Sequence, residues 1–470
     1  MPKNVAVLPS DAFPSDSARE EMIQAVQKKL GSDGCSVTEF IRNRKFLPAS
    51  SWSNMLMMLG TWKPMASRPN VAGVAIKFSF ASCHLGSDNS QESEQKIYSD
   101  VIAPLFTGHH TPHVLLPYAI VHCGNFMELL GHLDEKTAKK LLPRFHAMIL
   151  RQKEHLLLSK YGIHYNKRTL SFVDPESYDK RKNPMRFDKP IASSIDRHNN
   201  LLGTMAKSLT KEDKTCATQL DLFIFERAQG TSLSDVVSEY LSWPSGKWRT
   251  VPWERIGAPL FQVMYTLLCF QRVGLMHNDL HLGNIFVDTH PVAISRTYTY
   301  MSTTKKQRTV TVTSPYTVRM FDFDRGAKTK TKHSSSVVRN TNLEGGMCEA
   351  FGACNTFNNF FDAHAVLFIV YGLWKHEALD AKGKAFVEAL PKRITKELET
   401  FYSKRAAGKN FYTEVYAQLW CYSDGPCTLQ RGKPGDLPAV LDALADAVAD
   451  DEVVAEAAAY FDPAVNPLEK

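Results

Sequence analysis

This 470-residue chain has no apolar run long enough to cross a bilayer: the longest, Ala365 to Trp374, falls well short of the need, which is roughly 18 residues. Its opening residues, MPKNVAVLPSDAFPSDS, lack the extended apolar core of a signal peptide. The chain therefore reads as soluble, not membrane-bound and not secreted. Cysteine is scarce for a disulfide scaffold: there are nine, an odd number, with no CxxC pair and no regular spacing. That usage fits a reducing compartment. Cys421 and Cys427 come nearest to a pair, but their spacing is wrong for the usual zinc sites. Basic stripes interleaved with aromatics are also missing, so the net charge of +7 draws acidic partners weakly and does not indicate nucleic acid. No internal repeat is visible. With 44% hydrophobic and 22% charged residues the chain is neither disordered nor collagen-like.

What is present suggests roughly two to three domain-sized units. Ser15 to Leu30 carries Met22, Ile23, Val26 and Leu30 at helical spacing and reads as a helical part of an N-terminal appendage, residues 1–39. Phe40 to Phe80 shows three short apolar runs parted by turn residues, predicting three antiparallel strands. A helix follows, with Glu94, Ile97, Val101 and Ile102 on one face and Pro104 as its expected stop, and then a strand in HVLLPYAIVHC. Residues 124–218 are polar and basic and read as an insertion. Strand signal returns in LDLFIFE, followed by helices at Leu233 to Leu241 and Trp253 to Val273. NIFVD and YTVRMFDFD flank a Thr-rich stretch that alternates like an inserted hairpin, about residues 290–316. A buried helix begins near Phe360, and residues 436–470 read as an acidic helical tail facing solvent or a partner.

Chemistry concentrates in GLMHNDLHLGNIFVD, Gly274 to Asp288, and in RMFDFDRG, Arg319 to Gly326. Phosphoryl transfer from ATP needs an acidic group to orient the attacking hydroxyl and oxygen ligands to hold magnesium against the phosphates. Asp279 and Asn284, five residues apart, and Asp322 supply both. Here the chain resembles the protein-kinase-like superfamily, whose catalytic loop reads H-x-D-x-x-x-x-N and whose magnesium loop begins Asp-Phe-Gly. The resemblance covers roughly Phe40 to Trp374 and extends upstream: Val74-Ala75-Ile76-Lys77 matches the phosphate-lysine strand, and Glu94 stands on the next helix. Downstream, Asp362 resembles the aspartate that braces the catalytic loop, and FERAQGTSL the hinge between lobes.

The resemblance implies an α+β, two-lobed fold. A small antiparallel-sheet lobe, residues 40–230 with the 124–218 insertion, is joined at Glu226 to Gly230 to a mostly helical lobe, residues 231–435. It implies that ATP and Mg2+ are the cofactors. Lys77 would hold the α- and β-phosphates and pair with Glu94, Asp279 would act as catalytic base, Asn284 and Asp322 would bind magnesium, and Glu226 and Ala228 would meet adenine. Ser51 and Ser53 would donate hydroxyls where glycines are usual, because ASSWSN has none. The implied activity is a serine/threonine protein kinase acting on a protein substrate. The loop Leu-His-x-Gly-Asn resembles divergent kinases of large DNA viruses as well as antibiotic- and choline-kinase-like branches. A cytoplasmic location is expected, in a host cell or virion if the source is viral.

Departures from the pattern keep rivals open. Asn278 replaces the arginine that reads a phosphorylated activation loop, His281 replaces lysine, Asp324 replaces the glycine of Asp-Phe-Gly, and Ala-Pro-Glu is missing before Asp362. A small-molecule kinase and a scaffolding pseudokinase are the alternatives, and His277-x-Asp279-x-His281 also has the form of a metal-hydrolase ligand set. The basic runs KKQR and KTKTKH are solvated faces or docking points for an acidic or phosphorylated partner.

Overall fold

A computed structural model describes residues 16–30, 35–46, 56–65, 73–80, 90–123, 129, 131–135, 164–166, 171–173, 220–242, 247–324, 326–328, 360–405, 436–449, 458–463 and 465. It combines an antiparallel sheet in the N-terminal region with helices later in the chain. The chain forms two compact units, one of residues 1–22, 92–117 and 228–470, the other of residues 23–91 and 118–227. Helix α1 (Asp16–Lys29) begins in the first unit and ends in the second.

The second unit is built on a sheet of β1 (Ile41–Phe46), β2 (Leu56–Trp62), β3 (Gly73–Phe80), β4 (Pro117–Cys123) and β7 (Leu220–Glu226), in the order β1-β2-β3-β7-β4. A two-stranded antiparallel ladder of β5 (His164–Asn166) and β6 (Ser171–Val173), three residue pairs long, belongs to the same unit. The apolar runs that predict these strands supply the core, where successive side chains point to opposite faces: Met58, Trp62, Val74, Ile76, Phe78, Leu222 and Ile224 are all buried. Cys35 and Cys123 are joined as a disulfide across a sequence separation of 88, contrary to the expectation of free thiols throughout. Spacing along the chain could not reveal it: β1 and β4 lie at opposite edges of the sheet, and it is the turn Cys35–Phe40 before β1 that meets the end of β4. Most of the 124–218 insertion, together with Ser51 and Ser53, lies outside the described residues.

The first unit is organised around α5 (Trp253–Val273), which is buried on nearly every face. It follows β8 (Thr231–Ser232), α4 (Leu233–Ser238) and a small ladder of β9 (Leu241–Ser242) and β10 (Lys247–Trp248). Earlier in the chain, α2 (Ser90–Ile97) passes through a wide π turn, Tyr98–Ile102, into α3 (Ala103–Thr107). Pro104 does not stop this helix. It stands in the first turn of α3, where a missing N–H costs nothing. After α5 come β11 (Leu275–Met276), the long strands β12 (Ile285–Met301) and β13 (Gln307–Met320), and β14 (Ala327–Lys328). The expected hairpin at about 290–316 extends the pairing of β12 and β13, which runs from Ile285 with Met320 to Met301 with Gln307 and carries a bulge between Thr289 and Ile294. Its threonines form cross-strand hydroxyl pairs, Ser295 with Thr313, Thr297 with Thr311 and Thr299 with Thr309, at 2.7, 3.0 and 3.2 Å.

Helices α6 (Phe361–Lys375), α7 (Ala381–Ala389), α8 (Lys392–Arg405) and α9 (Asp436–Val448) complete the unit, with β15 (Ala458–Phe461) pairing parallel to β12. The described residues near both ends, 16–30 and 458–463, pack against other parts of the chain. Arg19 of α1 is fully buried, donating to the carbonyls of Pro112 (2.9 Å) and Val114 (2.7 Å), and Tyr460 of β15 donates to Asp16. Against the opposing effect of burial, the guanidiniums of Arg19, Arg296 and Arg319 hold Asp16 down to about 2. The acidic helix α9 is likewise not a solvated tail. Leu437, Val440, Leu441 and Leu444 are buried against α5, while Asp442 and Asp446 pair with Arg308. One cation of the KKQR run is thus engaged by the chain's own acidic helix.

Candidate active site

Three of the expected catalytic residues, Asp279, Asn284 and Asp322, fall in two adjoining loops of the first unit. The first loop runs from β11 to β12 and the second from β13 to β14. They are stitched together because Ile285 pairs with Met320 at one end and Met276 with Ala327 at the other. Between these ladders, Phe321 N–H donates to the Asn284 carbonyl at 3.2 Å, and His277 Nε2 lies 2.9 Å from the Phe321 carbonyl. That contact makes Nε2 the protonated nitrogen, and burial lowers the His277 pKa, so the ring is neutral.

The Asp279 loop is braced from below by Asp362, in the first turn of α6. Its two carboxylate oxygens accept the N–H groups of His277 (2.8 Å) and Asn278 (2.9 Å). Burial raises the Asp362 pKa, and His277 and the two N–H donors oppose that rise. Asn278 is buried with φ 62, and Asp322 has φ 68. Both lie in the left-handed region, which Asn and Asp tolerate better than other side chains because a short polar group can bond locally. Within the loop, the Asn284 amide donates to the Asp279 carbonyl at 2.9 Å, fixing its Nδ2 side and presenting Oδ1 as an oxygen ligand. His281 Nδ1 accepts the Gly283 N–H at 3.0 Å and so caps the single turn Leu282–Asn284.

Phe323 is fully buried, edge-on to Tyr98 (5.3 Å) and Phe270 (5.6 Å) and near His277 (4.6 Å). This aromatic plug holds the backbone on either side of it, placing Asp322 and Asp324 on a loop anchored in the core. Gly326 packs close beside it: a Cβ there would lie 3.0 Å from the Phe323 carbonyl and would push the tip of the Ile97 side chain aside. Tyr98 ties α2 to the same loop: burial first, then the charges of Glu94, Asp322 and Asp324, push its hydroxyl pKa well up. Glu94 itself is buried in the first unit.

Lys77 is 4% exposed in β3 of the second unit, in register with Met57 and Phe223, with its ammonium 5.7 Å from the Phe223 ring. Glu226 ends β7 opposite Val74, and the boundary between the units falls after Arg227, so Ala228 belongs to the first. Asp288, which the sequence leaves open as a strand-end cap or a supporting residue behind the site, lies within β12. Its carboxylate accepts the N–H groups of Gln229 (3.2 Å) and Gly230 (2.9 Å) and Arg319 Nε (3.2 Å), all in the first unit. The alternation of NIFVD, with Asp288 inside an otherwise apolar strand, was the signal available for it. Gly230 has no room for a side chain, since a Cβ would meet the Val287 carbonyl at 1.9 Å.

Among the described residues no three His, Cys, Asp or Glu side chains converge as a metal-ligand cluster. His277 and His281 therefore do not join Asp279 in the ligand cluster that a metal hydrolase would need, and each ring has one nitrogen engaged within the loops, His277 Nε2 at the Phe321 carbonyl and His281 Nδ1 at the Gly283 N–H. Magnesium differs: it is bound through one or two protein oxygens, with water and phosphates completing its shell. Asn284 and Asp322 fit that donor set. No helix among the described residues is long and apolar enough to cross a membrane.

No protein-family model matches the chain. No curated protein matches it. Among solved structures it is similar to the crystal structure of a kinase domain, at 12% identity and a TM-score of 0.30, over 78% of this chain and 77% of that one. A superposition that loose carries no argument, so the functional reading rests on the residues themselves.

Proposed function

We propose that the chain has a protein-kinase-like fold and is an ATP-dependent phosphotransferase that passes a γ-phosphoryl group to serine or threonine hydroxyls of a protein. The observation that carries this reading is the braced loop: Asp362 holds the His277 and Asn278 amides while Asn284 holds the Asp279 carbonyl. A buried carboxylate spent on two backbone N–H groups of a loop with a left-handed residue is a costly way to build a turn and a reasonable way to fix a reacting group.

In this reading Asp279 orients the substrate hydroxyl and accepts its proton as the oxygen attacks. Lys77 neutralises the α- and β-phosphates and is positioned by Glu94. Asn284 and Asp322 would hold magnesium, which supplies positive charge against the phosphates when bound. The backbone at Glu226 and Ala228 meets adenine, and Ser51 and Ser53 donate hydroxyls to the phosphates. A serine-lined segment in place of glycines favours weak nucleotide binding, which is where a scaffolding pseudokinase would differ in outcome.

The experiment is transfer of labelled γ-phosphate from Mg-ATP to casein and to a panel of small hydroxyl metabolites. Labelled casein supports the reading, and labelled metabolites alone transfer the same fold to a small-molecule kinase. No label at all, with a melting temperature still raised by ATP, leaves a nucleotide-binding scaffold.

A further inference from the structure

We propose that a cleft of about 390 Å³ formed by α6, α7 and α8 is a docking site for an acidic segment of a partner protein that carries one aromatic or branched aliphatic anchor. Its apolar lining comes from Tyr371 and Trp374 of α6, Val387 of α7 and Leu390 between the helices, with Lys392 and Lys396 of α8 along one rim. The volume suits one or two large side chains. Trp374 is half-buried and presents an aromatic surface of the kind that dominates binding energy at interfaces.

Charge selects the occupant. Lys392 and Lys396 lie one turn apart, both exposed, and neither ammonium has an ion-pair or hydrogen-bond partner among the described residues. The acids of the lining are differently placed. Glu399 is neutralised by Lys375 at 2.7 Å and also accepts from the hydroxyls of Tyr371 and Ser403, and Lys375 is the first cause of its lowered pKa. Glu388, on α7, has no ion-pair partner among the described residues and sets one negative charge against the two lysines. Lys375 also rests over the rings of Tyr371, Trp374 and Tyr402, at 5.8, 5.5 and 6.0 Å, so the position where a partner's cation would stack is taken by the chain itself. Two unpaired cations beside an apolar floor therefore call for an apolar anchor flanked by carboxylates.

The cleft is tied to the braced loop by one rigid element. Asp362 opens α6 and Trp374 lies twelve residues further along the same buried helix, about 18 Å along its axis. A segment anchored here is held at a fixed distance from Asp279, yet the binding claim does not depend on phosphotransfer.

The test is fluorescence anisotropy with the full chain and a labelled acidic peptide bearing a single central phenylalanine. Control peptides carry alanine for the phenylalanine, or lysines for the acids. Wild-type protein is expected to bind the acidic peptide, with affinity reduced about tenfold in Lys392→Glu/Lys396→Glu and weakened by added salt. Both lysines are exposed, so that variant should melt like the wild type, which separates lost docking from lost folding; Trp374→Ala gives a second reading on the floor. Absence of binding, equal binding by the double variant, or equal binding of the lysine peptide would overturn the proposal.

Discussion

Replacing Asp288 by alanine strips a buried guanidinium of its carboxylate and two backbone amides of their acceptor. Asp288 and Arg319 are 3% exposed each, and their contact is 3.2 Å. Arg319 keeps its bond to the Pro112 carbonyl at 3.2 Å and the attraction of the Asp16 carboxylate, which compensate its charge only in part. Breaking a buried ion pair from one side costs about 3–5 kcal/mol, because the surviving charge is left unpaired in a poor solvent, and these two contacts place the cost here toward the lower end of that range. For a unit of this size that corresponds to a melting temperature lower by roughly 6–20 °C. Removing the charge from both sides, in Asp288→Leu/Arg319→Met, should recover most of the loss, since apolar residues of similar volume often replace such pairs without penalty. Thermal unfolding of the wild type, both single variants and the double gives the coupling directly. The reasoning is refuted if Asp288→Ala melts with the wild type, or if the double variant is no more stable than the weaker single.

Acid should unfold the chain in two stages. His113, His277, His290 and His364 are buried with pKa values below the ordinary 6.5, at about 4 for His290 and His364, with burial as the leading cause. Their stabilising effect is complete above pH 6.5 and is lost as pH falls towards 4, and His364→Leu should flatten that loss by roughly 3 kcal/mol. Asp362, with its raised pKa, acts in the opposite sense, losing stability as pH rises from 3.8. A second fall follows below 3.8 as Asp16 protonates near 2. Reduction of Cys35–Cys123 should destabilise the second unit by about 2–4 kcal/mol, and non-reducing peptide mapping checks that the two cysteines are linked. Gly230→Ala should drive a Cβ into the Val287 carbonyl and cost about 1–3 kcal/mol or more, read by thermal melting.

Local patterns were legible in the sequence where the physics is local. Strands β1 to β3 follow from short apolar runs parted by turn residues, α5 from the strongly apolar run Trp253 to Val273, and the Asp279 and Asp322 loops from residue types at fixed spacing. What escaped was set by distant partners. The acidic face of α9 looks solvated until Arg308 and Arg393 are found opposite it, and Ala458–Phe461 has no strand signature until β12 offers an edge. Arg19 resembles any surface arginine of an amphipathic helix, and only the carbonyls of Pro112 and Val114 account for its burial. Pro104 misleads because its rule concerns helix interiors, whereas the π turn before it restarts the helix.

The most direct test compares wild type with Asp279→Asn in single-turnover transfer from Mg-ATP, with nucleotide binding and melting measured on both. Asp279 is half-buried, and its backbone carbonyl accepts the bonds of the Asn284 amide and the His281 N–H, which an asparagine at this position keeps. The variant should therefore fold and bind Mg-ATP as the wild type does while transferring about 10²–10⁴-fold more slowly. Equal transfer by the two proteins would contradict the assignment of Asp279 as the base and, with it, the proposed function of the loop.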